Sequence, residues 1–324
     1  MSDSAAEVEL VDLEPATSDF LEQVIAGLAT SPRTLPSKFF YDERGAELFQ
    51  QICELPEYYI TRTEHDILRE NGAEMADSVG ANAELVGFGT GAGVKTRMLL
   101  EHLDNPIAYV PVDISKERLI ESALALRRHM PRLEILPVCA DYLQSLRLPV
   151  PSRTPEHIAV YFPGSTIGNL EPHVARGFLT RVCRLCGPNG GLIIGVDLQK
   201  PREILEAAYN DGAGVTAQFN FNLLVRANRE LGADFVLRCW KHRAVYNEQE
   251  GRIEMHLVSD LDQTVHVGGQ AFSFRAGEHI ISEFSYKYTP EGFAALAASA
   301  GFRLARTWID PQRLFAVFHF VVPL

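Results

Sequence analysis

Five short apolar runs set the frame of this chain: "ELVGFG" (84–89), "IAYVPVD" (107–113), "LEILPVCA" (133–140), "HIAVYFPG" (157–164) and "GLIIGVD" (191–197). Amphipathic stretches near 94–103, 115–129, 171–186 and 201–209 separate them. A run that is apolar at successive positions leaves no face for water, so each reads as a strand covered on both sides. Strand–helix–strand units joined by right-handed crossovers then require an α/β fold with a doubly wound, largely parallel sheet. Open sheets of this kind bind ligands outside the carboxyl ends of their strands. The residues that end each run are therefore the first candidates for a site.

The rhythm holds only in the middle of the chain. Before it, "SDFLEQVIAGLA" reads as a short helix running into the loop "TSPRTLPSKFFYD". Thr61, three residues before Glu64, has the spacing of a capping box ahead of "EHDILREN". After Tyr209 the alternation stops. "FVLRCWKHRAVYN", "RIEMHLVSD" and "EHIISEFSYKY" are strand-like, with turn signals at "EQEG", "VGGQ" and "RAGE", and read as an antiparallel insertion. The core pattern resumes with "TPEGFAALAASAG", where Thr289 caps a helix, Pro290 takes its first position and Gly301 ends it. Two closely spaced strands, "FRLARTWID" and "LFAVFHFVV", follow. The expected division is 1–75, a helical lead; 76–208, the core; 209–286, the insertion; and 287–324, the end of the core.

Composition narrows the function by exclusion. The formal net charge of −12 and the scattered Lys and Arg residues offer no basic block for phosphate backbones, so nucleic acid is not an expected partner. No apolar run is long enough for a membrane span, and the acidic N-terminus lacks the basic region and apolar core of a secretion signal. Five cysteines, an odd number, fit a reducing compartment, and the cytoplasm is the expected location. Cys183 and Cys186 form a CxxC inside a helical pattern with no second pair at zinc spacing, so they are expected to be structural and no metal is expected.

Gly87, Gly89 and Ala92 fit the G-x-G-x-x-G/A fingerprint of a nucleotide-binding turn. Asp113 lies 24 residues after Gly89 at the end of the second run, where a carboxylate takes ribose hydroxyls. That constellation serves any ligand with an adenosine ribose, nicotinamide cofactors included. Three features weigh against a nicotinamide. The third run ends in "CADYL", placing Asp141 and Tyr142 where an adenine amine and ring would lie; the fourth runs into the polar loop "PGSTIGNLEP"; and the sheet finishes with helix, strand, tight turn, strand. That closing hairpin resembles the Rossmann-like fold of S-adenosylmethionine-dependent methyltransferases, a seven-stranded sheet whose last strand is inserted antiparallel.

Over nearly its whole length the sequence resembles the family of L-histidine Nα-methyltransferases of ergothioneine biosynthesis. The motifs are "LPSKFFYDERGAELFQQICELPEYYITRTE", "LVGFGTGAGVKTRMLL", "FPGSTIGNL", "AAYNDGAGVTAQFNFNLL", "NRELGADF", "RIEMHL" and "SEFSYKY". The resemblance implies a second, α+β substrate-binding domain made from the N-terminal segment and the insertion. It also implies three methyl transfers to the α-amine of histidine, giving hercynine, by a monomer. S-adenosylmethionine would be held by the neighbourhood of Tyr58 and by Gly89, Lys95, Asp113, Asp141 and Tyr142. The amino acid's amine and carboxylate would be held by Tyr41, Gly164, Asn169 and Tyr209, of which Tyr41, Asn169 and Tyr209 surround the reacting amine. The imidazole would be held by Tyr58, Glu283 and Ser285, with Met255 against the ring. The loop "GTGAGVK" departs from the family's more polar "GSGTSEK" while keeping the glycines and the lysine, which places any difference in cofactor affinity.

The residue types suit that chemistry. A sulfonium methyl is already activated, so the main task is to align a neutral amine with it. Tyr41 is placed to accept or relay a proton, although a phenol with its usual pKa of about 10 is a poor base. Alternation in "ISEFSYKY" puts Glu283, Ser285 and Lys287 on one strand face, and Phe284, Tyr286 and Tyr288 on the other. A solvated polar face is the plain reading of that pattern; a ligand-facing one would supply Glu283 to an imidazole N–H and Ser285 to the second nitrogen. An Nα-methyltransferase for tryptophan or a modified histidine, and a non-catalytic S-adenosylmethionine sensor, stay open.

Overall fold

The computed structural model describes residues 10–13, 20–89, 91, 93–144 and 146–324. Ala92 of the nucleotide fingerprint lies outside the described residues. The chain opens with β1 (Val11–Asp12), α1 (Phe20–Leu28) and β2 (Arg33–Thr34), followed by α2 (Glu43–Glu54) and α3 (Tyr59–Val79). The alternating middle runs β3 (Ala83–Phe88), α4 (Val94–Leu100), β4 (Ala108–Asp113), α5 (Lys116–His129), β5 (Glu134–Ile135), β6 (Val138–Cys139), β7 (His157–Phe162), α6 (Pro172–Cys186), β8 (Gly191–Asp197) and α7 (Arg202–Tyr209). Then come α8 (Val215–Leu231), β9 (Trp240–Asn247), β10 (Arg252–Ser259), β11 (Gln263–Val267), β12 (Gln270–Phe274) and β13 (His279–Tyr286). The chain closes with α9 (Pro290–Ser299), β14 (Arg303–Ile309) and β15 (Phe315–Val321).

The large sheet has the order β1-β6-β4-β3-β7-β8-β15-β14, with β5 also paired to β4. Every pairing is parallel except those of β15 with β8 and with β14. This is the expected doubly wound sheet with its antiparallel closing hairpin. All residues of β3 and β8 are buried because both sheet faces are covered. Successive side chains accordingly enter different cores: Leu85, Tyr109 and Tyr161 pack on one side, Val86, Val110, Val160 and Phe162 on the other. The third apolar run splits into β5 and β6 around Pro137, which has no N–H to give a neighbouring strand. A strand absent from the sequence reading, β1, lies parallel against β6.

A second sheet has the order β2-β13-β10-β9, with β11–β12 as a separate hairpin. In it β2 lies parallel to β13, far away in sequence, and Arg33 pairs with Glu278 at 2.9 Å. The β10–β13 ladder carries a bulge: Met255 faces Glu283 while His256 faces Ile281, leaving Ser282 as the extra residue. Its single hydroxyl hydrogen is shared between two acceptors, the Asn220 amide oxygen at 2.6 Å and the Met255 carbonyl at 3.0 Å.

Two helices were not read from the sequence. One, α2, is capped by Asp42, whose carboxylate accepts from the Gly45 amide at 2.8 Å. The other, α8, follows Asp211, which accepts from the amides of Val215 and Thr216, each at 2.8 Å. The expected capping box is corrected: α3 starts at Tyr59, so Thr61 sits inside it, and Glu64 turns inward to other partners. The loop after β7 holds a tight turn, Thr166–Asn169, that touches the second sheet. A Cβ on Gly168 would stand 2.8 Å from the Tyr286 carbonyl oxygen, so only glycine permits that approach.

Candidate active site

The sheet order reverses between β3 and β7, and the crevice outside their carboxyl ends is where such folds bind ligands. A pocket there is lined by Tyr41, Tyr58, Gly164, Asn169, Tyr209, Met255, Glu283 and Ser285, together with Phe49, Ser165, Thr166 and Phe219. All the positions assigned from sequence to the amino acid therefore share one cavity, drawn from distant parts of the chain. Tyr41 follows a 3-10 turn, Ser37–Phe40, with its ring edge-on to Phe49 and Phe219 at 5.6 and 5.7 Å between centroids. Tyr58 precedes α3 and meets Phe49 and Tyr209 edge-on at 6.4 and 6.2 Å. Tyr209 ends α7. Glu283 and Ser285 project from β13, with Met255 opposite Glu283 on β10, so this polar strand face turns to the cavity rather than to solvent.

Burial pushes the Tyr41 and Tyr58 phenols well above their ordinary range, the Glu283 charge adding to the effect, so both stay protonated at neutral pH. Burial also lifts the Glu283 carboxyl to about 7, against the pull of the Lys287 ammonium. The cavity thus offers neutral hydroxyls and one carboxylate that ionises near neutrality.

Several functional groups escaped the sequence reading. Glu64 is buried, and both of its carboxylate oxygens accept from the Gly164 amide, at 2.9 and 3.1 Å, while it pairs with Lys95. It fixes the loop that carries Asn169. Behind the cavity Asp197 accepts from Tyr59 at 2.9 Å, from Lys200 at 2.5 Å and from Lys287 at 2.8 Å. The two lysines hold its carboxyl below the usual range despite burial, and the Asp197 amide donates to Ser165 at 2.9 Å. The available signal was positional: Asp197 ends an apolar run, as Asp113 does, and Lys287 shares the face of Glu283 and Ser285.

The positions assigned to the cofactor lie along the carboxyl edge of the sheet. Gly89, Gly91 and Gly93 all take positive φ, +56°, +54° and +73°, and around Gly91 and Gly93 the space a Cβ would fill is open. Lys95 lies in the first turn of α4 beyond it, and its ammonium approaches Gly164. Asp113 ends β4, accepts from the Ser115 amide at 3.0 Å and is raised from its usual range by burial. Asp141 accepts from the Leu143 amide at 2.8 Å. The neighbouring Tyr142 ring stacks on Phe88 at 5.7 Å and reaches Gly89, where a Cβ would stand 3.7 Å from it. Open backbone at the turn and a carboxylate at the next strand end fit a nucleoside with free ribose hydroxyls.

The chain's residues 20–322 match the family model of histidine-specific, S-adenosylmethionine-dependent methyltransferases. The chain belongs to that family. It is similar to the histidine N-alpha-methyltransferase of Mycolicibacterium smegmatis, 41% identical over 310 residues that span 94% of this chain and 95% of that one. Similarity to the histidine N-alpha-methyltransferase of Mycobacterium tuberculosis is 42% over 293 residues, 89% and 90% of the two chains. Ergothioneine biosynthesis protein 1 of Neurospora crassa is 32% identical over 286 residues, 86% of this chain and 32% of that longer protein. This family member is an S-adenosylmethionine-dependent N-methyltransferase, and S-adenosylmethionine is its cofactor. When bound, the cofactor supplies a methyl group on a positively charged sulfur, activated for displacement.

Proposed function

We propose that the chain methylates the α-amine of L-histidine three times, giving hercynine, by in-line attack of the neutral amine. The observation that carries this reading is the pairing in one cavity of Glu283 and Ser285 with Tyr41, Asn169 and Tyr209. In it, Glu283 accepts from an imidazole N–H, Ser285 meets the second nitrogen, and Met255 and Tyr58 flank the ring. Gly164, Asn169 and Tyr209 hold the amine and carboxylate, with Tyr41 beside the amine. Gly89, Lys95, Asp113, Asp141 and Tyr142 hold the cofactor.

Aligning the neutral amine with the activated methyl group would be the main catalytic effect, and Tyr41, Asn169 and Tyr209 would supply it from around the amine. Tyr41, held protonated by burial, orients the amine's lone pair and does not serve as a base; solvent takes the proton released between steps. Hydroxyl and amide groups suit a product with a permanent positive charge, because they need not change ionisation as it forms. Residues 1–75 and 209–286 act together as a substrate-binding unit, a reading supported by the pairing of β2 with β13. The protein works as a monomer. The test is incubation with S-adenosylmethionine and a panel of amino acids, histidine and tryptophan among them, with products read by mass. Histidine gaining three methyl groups is expected; tryptophan as the preferred substrate, or no turnover despite cofactor binding, overturns the reading.

A further inference from the structure

Lys287 is wholly enclosed, and its ammonium makes three hydrogen bonds: to Asp197 at 2.8 Å, to Ser285 at 2.8 Å and to Tyr209 at 3.0 Å. An ammonium has three hydrogens, so none remains for a ligand. The Tyr209 and Ser285 hydroxyls lie 2.9 Å from each other, and each already accepts from Lys287. One of their two hydrogens spans the gap between them. A phenol is a stronger donor than an aliphatic alcohol, so that hydrogen comes from Tyr209. Ser285 then accepts twice, both its lone pairs are filled, and its own hydrogen is left over for a ligand in the cavity that Ser285 lines.

We propose that Lys287 is a positioning residue that fixes Ser285 as a hydrogen donor beside the acceptor Glu283, so that the cavity reads a neutral ring with one N–H and one bare nitrogen. The inference rests on the proposed histidine reading and deepens it to the ring's protonation and tautomer. Without Lys287, Ser285 is free to turn its hydrogen to Tyr209 and meet a second N–H or a C–H instead. A ring lacking the bare nitrogen leaves the Ser285 hydrogen buried without a partner, which is costly. Removal of the Lys287 ammonium does not strand Asp197, which keeps Lys200 and Tyr59.

The test compares histidine with its pyrrole isostere, in which carbon replaces the acceptor nitrogen and the N–H is kept. Initial rates are measured for the wild-type chain, Lys287→Met, Ser285→Ala, the double variant and Tyr209→Phe. The wild type is expected to prefer histidine by tenfold or more in kcat/KM, an effect of the size of one well-placed hydrogen bond (about tenfold). Lys287→Met is expected to lose most of that preference through the KM for histidine, with S-adenosylmethionine affinity unchanged by calorimetry. The double variant should discriminate no less than Ser285→Ala alone. Tyr209→Phe, which removes the hydrogen that saturates Ser285, should weaken the preference even if Lys287→Met does not fold. Wild-type discrimination retained in a folded Lys287→Met, retained in Tyr209→Phe, or lost multiplicatively in the double variant overturns the inference. A wild-type chain that leaves histidine unmethylated overturns the functional reading and this inference with it.

Discussion

Replacing Glu283 by glutamine should stabilise the ligand-free protein while weakening its function. Burial raises the Glu283 carboxyl from 4.5 to about 7. Below pH 4.5 it is protonated in the folded and unfolded chains alike and contributes no difference. Between the two values the folded chain retains a proton that the unfolded chain has released, so stability falls as pH rises. Above about 7 both are ionised, and the folded chain bears the whole cost of the buried charge. At 1.36 kcal/mol per pH unit the interval corresponds to about 3 kcal/mol, which partial solvent access trims to about 2. The uncharged amide of the variant carries no such slope. Thermal and urea unfolding of Glu283→Gln and wild type should therefore differ by about 1 kcal/mol or less at about pH 5 and by about 2 kcal/mol at about pH 8, with the variant the more stable. Saturating histidine at the higher pH should narrow the gap, because the wild-type carboxylate then gains its partner. A variant less stable than wild type at that pH, or a gap that does not change with pH, would contradict this account of the buried carboxyl.

Glu283→Ala should weaken histidine binding by roughly ten- to hundredfold, the worth of a charge-assisted hydrogen bond, and leave S-adenosylmethionine binding nearly intact. Equal losses measured by calorimetry would count against the assignment. Asp113→Asn should show the opposite split, with cofactor affinity falling by about tenfold or more and histidine affinity in the ternary complex little changed. Gly168→Ala brings a Cβ to 2.8 Å from the Tyr286 carbonyl oxygen. It should cost about 1–3 kcal/mol by differential scanning and lower turnover, because Asn169 moves with the loop. An unchanged melting temperature would show that the loop yields freely.

The large sheet was legible because its strands are buried on both faces, and such burial writes itself into the sequence as unbroken apolar runs. Helix α9 was legible for a local reason: Thr289 accepts from the Gly292 amide at 3.0 Å, as its spacing with Pro290 implied. Helix α8 was not, since Val215, Thr216, Asn220 and Asn222 are poor helix formers individually. Tertiary partners hold them instead, Asn220 to the His256 carbonyl at 3.1 Å and Asn222 to Asp42 at 2.7 Å. Glu64 was misread because a surface capping box and a buried carboxylate leave the same three-residue spacing. The polar face of β13 could be read as a face, but not as a cavity wall, since that depends on what the rest of the chain places opposite it. Resemblance, not periodicity, brought Tyr41 and Tyr58 into the same site as Glu283.

The pairing of β2 with β13 also bears on the order in which the molecule is made. Synthesis proceeds from the N-terminus, so Arg33 leaves the ribosome long before Glu278 and Ile280, to which it is joined, exist. Tyr41 and Tyr58 likewise wait for Met255, Glu283 and Ser285. Nor can the large sheet close early, since β15 stands between β8 and β14 and is made after both. A nascent chain therefore carries the turn at Gly89, Gly91 and Gly93 well before the cavity between Tyr41, Tyr58, Met255, Glu283 and Ser285 can exist.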